Sequence, residues 1–276
     1  MTSNPPSATG KLGNTEAIAY GLLQGPTELL PVSSSGHLVL APWLVQSQYR
    51  DLDPELRKAF EVALHVGTAV ALVLVMRDEV IEAIVELDGR RAVLVATTLA
   101  PAAAAALLFE RQIERYASRP EVVAAGLVLG AGAMWWADRL PETRTRASAT
   151  ARDGLAIGFA QAMALVPGVS RNGATLVAAR VLGFEREAAM ELSMHAALPV
   201  IGGAAVLKGV RLAKRGMPAE LRQPFVLGAL GAFGTSVVCA KLMARSRRAR
   251  RLTPYAVYRV GLAALVAREL GRRRQR

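Results

Sequence analysis

Long apolar stretches separated by short polar segments dominate the pattern of this chain. A helix needs about 17–25 apolar residues to cross the hydrocarbon core of a bilayer. Six stretches approach that length, at residues 59–76, 92–109, 122–136, 188–207, 225–243 and 255–266. The pattern therefore predicts an all-α, polytopic membrane protein with six transmembrane helices.

Two further apolar segments are too short to span and are interrupted by polar turns. An apolar helix predicted over residues 16–30 ends at Pro31, and the turn PVSSSG leads into a second short helix over residues 36–45. Broken backbone at membrane depth is tolerated only where it is buried in protein or lines a cavity. We therefore expect a re-entrant helical hairpin here, and a second one around residues 161–176, where the pattern recurs.

The two hairpin segments resemble copies of each other. Placing Gln24 on Gln161 without a gap pairs further residues of the same type, namely Gly21 with Gly158, Val32 with Val169, Ser33 with Ser170 and Gly36 with Gly173. Three predicted spans separate the segments, and an odd number means that the hairpins enter from opposite faces. The sequence thus predicts one membrane domain over residues 1–276, an inverted-topology repeat of residues 14–136 and 151–270, and a disordered lead-in at residues 1–13.

Composition and charge agree with a membrane protein. Apolar residues make up 52% of the 276 residues, and the net charge of +12 lies mainly outside the predicted spans. Basic loops between hydrophobic helices contact anionic lipid headgroups, and no nucleic-acid partner is expected because no reading motif accompanies the charge. Lysine and arginine are nearly balanced between the two predicted sides, so they do not fix the orientation. The single cysteine, Cys239, excludes a disulfide and a cysteine-based metal site within one chain.

Polar side chains in the two hairpins form the candidate site. Ser33 and Ser170 precede helices as favoured N-caps, and two helix N-termini meeting inside a membrane protein favour an anion. Arg171 adds a fork of donors suited to phosphate. Beside a phosphate, Glu28 requires either a bridging divalent cation or an acid/base role that orients His37.

This set of residues is suited to phosphoryl transfer from an amphiphilic phosphate. The expected catalytic residues are Glu28, Ser34, His37 and Arg171, with Glu28 also a candidate metal ligand. The expected substrate-binding residues are Gln24, Ser33, Ser170, Thr175, Asn172 and Glu61. The nucleophile remains open between Ser34 and His37.

Each of these residues also has a structural interpretation. The serines are typical of turns, and an arginine at a helix start can contact headgroups; Glu28, in an apolar helix, is the hardest to explain in this way. The pairs Glu61/His65 and Glu191/His195, each four residues apart, could form a split metal site. Hydrogen bonding along a helix face explains them equally well, so neither histidine is selected as a ligand.

The same residues resemble a known family. Gln24 and Glu28 running into PVSSSGH, and PGVSRNGAT at residues 167–175, resemble the two signatures of the bacterial undecaprenyl-diphosphatase family linked to bacitracin resistance. FEVALHVG from Phe60 and PYAVYR from Pro254 are also similar to that family.

The resemblance implies a membrane enzyme that hydrolyses undecaprenyl diphosphate to undecaprenyl phosphate and phosphate, which recycles the lipid carrier for peptidoglycan synthesis. It further implies a divalent cation, Mg²⁺ or Ca²⁺, and a homodimer. The implied location is the bacterial cytoplasmic membrane, with the active site facing outward.

Three positions depart from the family pattern. Gln24 stands where glutamate is common, and an amide cannot balance the charge of a cation. Asn172 replaces a common serine, and His65 replaces a frequent glutamine. The key serine, histidine and arginine are retained, so we expect activity to survive.

Two other functions fit parts of the pattern. A polyprenyl-phosphate flippase would use the same anion clamp and needs no nucleophile. A second class of membrane phosphatase combines KxxxxxxRP, PSGH and SRxxxxxH, and Ser170-Arg171 matches a part of it. Val177 stands where that class has its second histidine, which disfavours this alternative.

Overall fold

The computed structural model describes residues 11–85, 87–117, 119–215, 218–245 and 251–275. Residues 1–10 of the expected lead-in therefore lie outside the described residues. Within the described ranges the chain is helical, and the β pairing found there is one isolated bridge between Arg144 and Phe184. The helices are α1 (Asn14–Leu29), α2 (Ser34–Leu44), α3 (Pro54–Val75), α4 (Arg77–Val85), α5 (Gly89–Ala117), α6 (Pro120–Ala137), α7 (Ala151–Met163), α8 (Arg171–Val181), α9 (Arg186–Arg215), α10 (Ala219–Arg245) and α11 (Thr253–Arg274). The predicted all-α class is confirmed.

Four helical segments are long and apolar enough to cross a membrane. Among the described residues they are Pro54–Val75, Gly89–Phe109, Pro120–Ala137 and Ala219–Arg245, and they coincide with four of the predicted spans. The chain is therefore a multi-pass membrane protein. The other two predicted spans lie within the long helices α9 and α11, where polar residues such as Glu191 and Arg259 dilute the apolar stretch. Six spans and the re-entrant course of the hairpins stay predictions.

The short hairpin helices α1 and α7 each pack against a long helix from the other half of the chain. Helix α1 packs along α10, and α7 packs along α5. The close approach depends on glycine: a Cβ at Gly21 would clash with the carbonyl oxygen of Gly228, and one at Gly158 would lie 2.7 Å from the carbonyl oxygen of Thr97. These two glycines are the pair that the sequence comparison aligned.

The turns between paired hairpin helices also match. Ser33 caps α2 and Ser170 caps α8, and each hydroxyl accepts a hydrogen bond from a glycine amide, that of Gly36 at 3.3 Å and that of Gly173 at 3.1 Å. Both serines have a positive φ, 77° and 70°, a region that is sparsely populated by residues other than glycine and costs about 1–3 kcal/mol. The backbone at both helix starts is thus held in an unusual conformation by the surrounding contacts.

Asp138 joins the ends of three helices just beyond α6. Its carboxylate accepts hydrogen bonds from the Thr253 hydroxyl at 2.6 Å and amide at 3.1 Å, at the start of α11, and from Arg186 at 3.3 Å, at the start of α9. Partial burial acts to raise the pKa of Asp138, but these hydrogen bonds outweigh it and hold the pKa below its usual value. The charged form is therefore part of the folded structure.

Candidate active site

The site is built around the carboxylate of Glu28, which is buried at the last turn of α1. Its Oε2 atom accepts a 2.5 Å hydrogen bond from Ser34, the first residue of α2. Its Oε1 atom accepts a 2.7 Å hydrogen bond from Nη2 of Arg171, the first residue of α8. The starts of α2 and α8 therefore meet at one carboxylate. The sequence predicts this meeting only on the assumption that the two halves of the chain fold against each other.

Arg171 has one nitrogen engaged and another available. Its Nη1 atom is buried and finds no hydrogen-bond partner among the described residues, while Nη2 binds Glu28. A buried donor without a partner costs about 1–3 kcal/mol. A phosphate oxygen is the acceptor that this geometry suits, because a guanidinium presents its donors in one plane.

Glu28 has two further neighbours on the first half of the chain. The Nε2 atom of Gln24, one turn earlier, donates to Oε2 of Glu28 at 3.4 Å. Nε2 of His65, on α3, lies 3.4 Å from the same oxygen. Glu61 contributes its backbone carbonyl, which accepts from Nδ1 of His65 at 2.7 Å. The Glu61/His65 spacing is visible in the sequence, but it does not reveal which side chain the imidazole contacts, so His65 is not among the predicted site residues.

The hydrogen bonds of His37 are made with groups other than the Glu28 carboxylate. Its Nδ1 atom is 2.7 Å from the Ser33 carbonyl oxygen and must donate to it, so Nε2 of the neutral ring accepts from the Tyr258 hydroxyl, also at 2.7 Å. The two rings are nearly parallel, with centroids 5.7 Å apart. Both imidazole nitrogens are thus occupied, and His37 and Tyr258 hold the first turn of α2 against α11.

Ser33 and Thr175, two further predicted site residues, form hydrogen bonds that hold the starts of α2 and α8 in place. The Ser33 hydroxyl also accepts from the Gly168 amide at 3.2 Å, across the two halves. Thr175 donates to the Arg171 carbonyl at 3.0 Å and shares a 2.6 Å hydrogen bond with Ser193. Their predicted role in substrate binding is untested, and their contacts are with protein groups.

Asn172 reaches the first hairpin directly. Its amide nitrogen donates to the Leu29 carbonyl at 2.6 Å, and its Oδ1 atom accepts from Ser193 at 3.0 Å. It therefore fixes the start of α8 against the end of α1, immediately beside Glu28.

Arg259, which is fully buried, ties both turns to α6 and was not selected from the sequence. Its guanidinium donates to five backbone carbonyls, those of Pro31 (3.2 Å), Gly126 (3.2 Å), Leu127 (3.3 Å), Gly168 (2.6 Å) and Val169 (3.0 Å). An arginine within an apolar stretch was a signal for a buried role, but the sequence does not identify carbonyl partners.

A narrow cleft with a volume of about 30 Å³ leads to the carboxylate. Its polar end is lined by Glu28, Arg171, Asn172 and Ser193. The rest of the wall is apolar and consists of Leu29, Leu72, Met76, Met190, Met194, Ala197 and Met243. The arrangement suits a ligand with an anionic head and an apolar tail.

Fold and site together define a class: multi-pass helical membrane proteins in which a serine and an arginine at the starts of two helices meet a buried carboxylate at the end of a third. The chain belongs to the family described as bacitracin resistance protein BacA, whose family model matches residues 17–265.

Three proteins similar to this chain share one name. A protein from Moorella thermoacetica named undecaprenyl-diphosphatase is 36% identical over 259 residues, which cover 91% of this chain and 95% of that protein. One of the same name from Pelobacter propionicus is 36% identical and covers 88% of this chain and 92% of its own length. A third, from Burkholderia mallei, is 32% identical over 91% of this chain and 93% of its own length. The family predicted from the two signatures is confirmed.

Proposed function

We propose that this chain hydrolyses undecaprenyl diphosphate to undecaprenyl phosphate and inorganic phosphate. The observation that carries the proposal is the meeting of Ser34, Glu28 and Arg171, which joins a nucleophile, a base and an anion clamp. The names of the relatives support the same substrate. The product is the lipid carrier that peptidoglycan synthesis reuses. The family is described as a bacitracin resistance protein, and we propose that this chain confers bacitracin resistance through this reaction.

In the first step Ser34 attacks the terminal phosphorus while Glu28 takes the proton of its hydroxyl. The bond from the terminal phosphorus to the bridging oxygen breaks, and undecaprenyl phosphate leaves with the proton that Glu28 gives up. The phosphoryl group remains on Ser34. In the second step Glu28 takes a proton from water, the resulting hydroxide attacks the phosphoserine, and inorganic phosphate leaves as Ser34 regains its proton.

Arg171 and the two helix starts hold the charge that develops on the phosphate. The guanidinium can bind Glu28 through Nη2 and a phosphate oxygen through Nη1 at the same time, because Nη1 finds no other acceptor among the described residues. Backbone amides in the first turns of α2 and α8 add donors at the positive ends of the helix dipoles. Donors fixed in advance of the reaction are worth several kcal/mol in such sites.

The geometry favours Ser34 over His37 as the nucleophile. Ser34 donates to Glu28 at 2.5 Å, whereas both nitrogens of His37 are engaged by Ser33 and Tyr258. An attack by His37 would first have to break one of these hydrogen bonds. We assign His37 to positioning the first turn of α2.

A divalent cation, Mg²⁺ or Ca²⁺, fits this site only in part. Glu28 and the buried amide oxygen of Gln24, which finds no hydrogen-bond partner among the described residues, would hold it together with oxygens of the substrate. No group of three or more His, Cys, Asp and Glu side chains in the described ranges is arranged to hold a metal ion, so the phosphates must supply ligands. When bound, the cation adds positive charge beside the phosphate oxygens.

Location and assembly are part of the proposal. The protein lies in the bacterial cytoplasmic membrane with its site open to the outer face, where the spent carrier is released, and it forms a homodimer. We further propose six spans with two re-entrant hairpins in an inverted repeat. The repeat is supported by the matching serine caps, Ser33 and Ser170, and by the matching helix contacts at Gly21 and Gly158.

The flippase alternative has no support. A flippase requires the anion clamp, but it has no use for a serine hydrogen-bonded to a buried carboxylate. The similar proteins are named as diphosphatases.

The test is phosphate release from undecaprenyl diphosphate by the purified protein in detergent, with and without a chelator. We expect Ser34→Ala to lower kcat by about 100-fold or more, as loss of a nucleophile or its base does. Ser35→Ala is the matched control, because Ser35 is the exposed neighbour of Ser34 and its substitution should change kcat less than about twofold. Substrate labelled on its terminal phosphate, quenched in acid, should leave label on the protein.

The stability of the labelled protein decides the nucleophile. A phosphoserine survives acid, whereas a phosphohistidine survives base and is lost in acid. Base-stable, acid-labile label that persists in Ser34→Ala would assign the attack to His37 and end the serine mechanism. Absence of phosphate release from the wild-type protein with added Mg²⁺ or Ca²⁺ would end the proposed function itself.

A further inference from the structure

A second pocket lies between the start of α5 and the loop that follows α6. Its volume is about 430 Å³, within the range of about 300–1,000 Å³ that is typical of small-molecule sites. Its lining consists of three arginines, one leucine and two alanines, namely Arg90, Arg91, Leu94, Arg146, Ala147 and Ala149. We call it the arginine pocket. These residues differ from those that line the catalytic cleft, so the two sites are separate.

The arginines of this pocket are held in place by the protein without being saturated by it. The Nη2 atom of Arg90 donates to the carbonyl oxygens of Ala147 at 2.6 Å and Ala149 at 2.7 Å. Arg146 makes two longer contacts, from Nη1 to Oε2 of Glu191 and from Nη2 to Nε2 of His195, both at 3.4 Å. Contacts of that length are weak hydrogen bonds. A ligand oxygen can therefore compete for Arg146.

Positive charge exceeds negative charge in the arginine pocket. Among the described residues that line it, three carry a guanidinium and none carries a carboxylate. Glu191 contacts Arg146 from outside the pocket, and Asp88 accepts from the backbone amide of Arg91 at 2.7 Å. Planar guanidinium groups bind phosphate oxygens through paired donors. The chemistry that fits this pocket is a phosphate group.

The arginine pocket lies at the depth of the lipid headgroups. The candidate spans within α5 and α6 are consecutive and cross in opposite directions, so the start of α5 and the end of α6 lie at the same membrane face. Trp135 and Trp136, in the last turn of α6, are each 51% exposed. Exposed tryptophans concentrate at the membrane–water interface. The arginines at this end of both helices are therefore within reach of headgroup phosphates.

The surface next to the arginine pocket faces hydrocarbon. Leu94 lines the pocket, and its neighbour Val93 is 51% exposed. Only 11% of the candidate span in α5 is buried inside the protein, against 28–39% of the other three. An apolar helix that protein does not cover is covered by lipid tails. A molecule whose phosphate occupies the pocket can thus keep its acyl chains along α5.

We propose that the arginine pocket binds the phosphate of an anionic phospholipid, which joins α5 to the loop after α6. A free phosphate ion offers the same oxygens, but the exposed apolar side of α5 favours a ligand that also carries tails. The bound lipid stabilises the folded protein, because a ligand that binds only the folded state shifts the equilibrium towards it. This site is independent of the proposed phosphatase reaction.

The experiment measures lipid bound to the purified, delipidated protein in detergent by native mass spectrometry. Phosphatidylglycerol is the anionic probe. Phosphatidylcholine carries the same phosphate and tails without net charge, and inorganic phosphate supplies the oxygens without tails. Arg90→Gln and Arg146→Gln each remove one guanidinium from the pocket. Arg152→Gln is the matched control, because Arg152 is exposed just after the same loop and does not line the pocket.

We expect the wild type to bind phosphatidylglycerol about fivefold or more tightly than phosphatidylcholine. Arg90→Gln and Arg146→Gln should each weaken phosphatidylglycerol about fivefold, the effect of one arginine at an anionic surface. Arg152→Gln should resemble the wild type. So should Arg171→Gln, which alters the catalytic cleft, and a loss of this lipid in Arg171→Gln would place it in that cleft and overturn the proposal.

Two further results would contradict the assignment. Wild-type affinity for phosphatidylglycerol in folded Arg146→Gln would show that the pocket does not bind the headgroup. Displacement of the lipid by millimolar inorganic phosphate would show that the pocket takes the free ion and has no use for tails.

A further variant covers the case in which Arg90→Gln prevents folding by releasing the two carbonyls. Arg91→Gln leaves those hydrogen bonds intact and should weaken phosphatidylglycerol by the same factor. Phosphatidylglycerol should raise the thermal midpoint of the wild type by more than that of Arg91→Gln or Arg146→Gln. Equal increases in all three would overturn the proposal. A protein that binds this lipid but releases no phosphate would count against the proposed function alone.

Discussion

Arg259 illustrates how one side chain can hold a site without touching the substrate. Its five acceptors belong to the turn before α2, the turn before α8, and α6. Burial of an arginine is costly unless its donors are satisfied, and here backbone carbonyls satisfy them. The positions of Ser34 and Arg171 therefore depend on a residue from the last helix.

We predict that Arg259→Lys will destabilise the protein and reduce activity together. A lysine ammonium has three donors, so some of these carbonyls lose their partner at a cost of about 1–3 kcal/mol each. The thermal midpoint in detergent should fall by several degrees, and kcat by about tenfold. Arg268→Lys, at an exposed position on the same helix, is the control. Equal behaviour of the two variants would contradict this role for Arg259.

The sequence predicts the reacting residues of the site better than the residues that hold them in position. Glu28, Ser34 and Arg171 are predictable because a carboxylate, a hydroxyl and a guanidinium within apolar sequence are costly to bury unless they have a function. The structure brings the three side chains together. His65 and Tyr258 were not selected, because their importance comes from contacts with residues distant in sequence. Residue type indicates chemistry, whereas only the fold supplies the partner.

At the scale of elements, the hairpin helices depend on glycine contacts with long helices. Four spans were predictable because an apolar stretch of bilayer length is a strong local signal. The packing of α1 on α10 and of α7 on α5 was not predictable, because Gly21 and Gly158 are unremarkable until their neighbours are known. In the sequence, the two glycines are distinguished only as identical residues at aligned positions of the two hairpin segments.

We predict that Gly21→Ala will destabilise the protein, because its methyl group would clash with the Gly228 carbonyl oxygen. Overpacking of this kind costs about 1–3 kcal/mol. Gly234→Ala on α10 is the control, since a Cβ there meets no atom within 4 Å and removing a helical glycine stabilises by about 0.4–1 kcal/mol. Thermal unfolding in detergent measures both. A Gly21→Ala protein as stable as Gly234→Ala would show that the helices can separate without cost.

At the scale of the whole molecule, the two halves are interlocked. The first hairpin helix packs on α10 of the second half, the second on α5 of the first half, and α11 packs on α6. Glu28 and Arg171 form an ion pair across the halves at 2.7 Å. Each half therefore packs mainly against helices of the other half, although each half carries one copy of the sequence repeat.

We predict that the chain can be cut between the halves without coming apart. A protease site inserted between Pro141 and Glu142, both exposed, should allow complete cleavage of the folded protein. Because apolar contacts join the fragments throughout, they should co-elute in size-exclusion chromatography in mild detergent and keep most of the phosphate release. Separation of the fragments without added denaturant would contradict the interlocked packing.

The position of Arg259 on α11, after both turns in the sequence, has a consequence for biosynthesis. The turns before α2 and α8 leave the ribosome long before α11, yet their backbone carbonyls have Arg259 as their shared donor. Until α11 is synthesised, these carbonyls lack the donor that joins the two turns in the folded protein. A ribosome that stops before residue 259 leaves a chain containing every reacting group but no assembled catalytic centre, so truncated products would be inactive and exposed to membrane proteases.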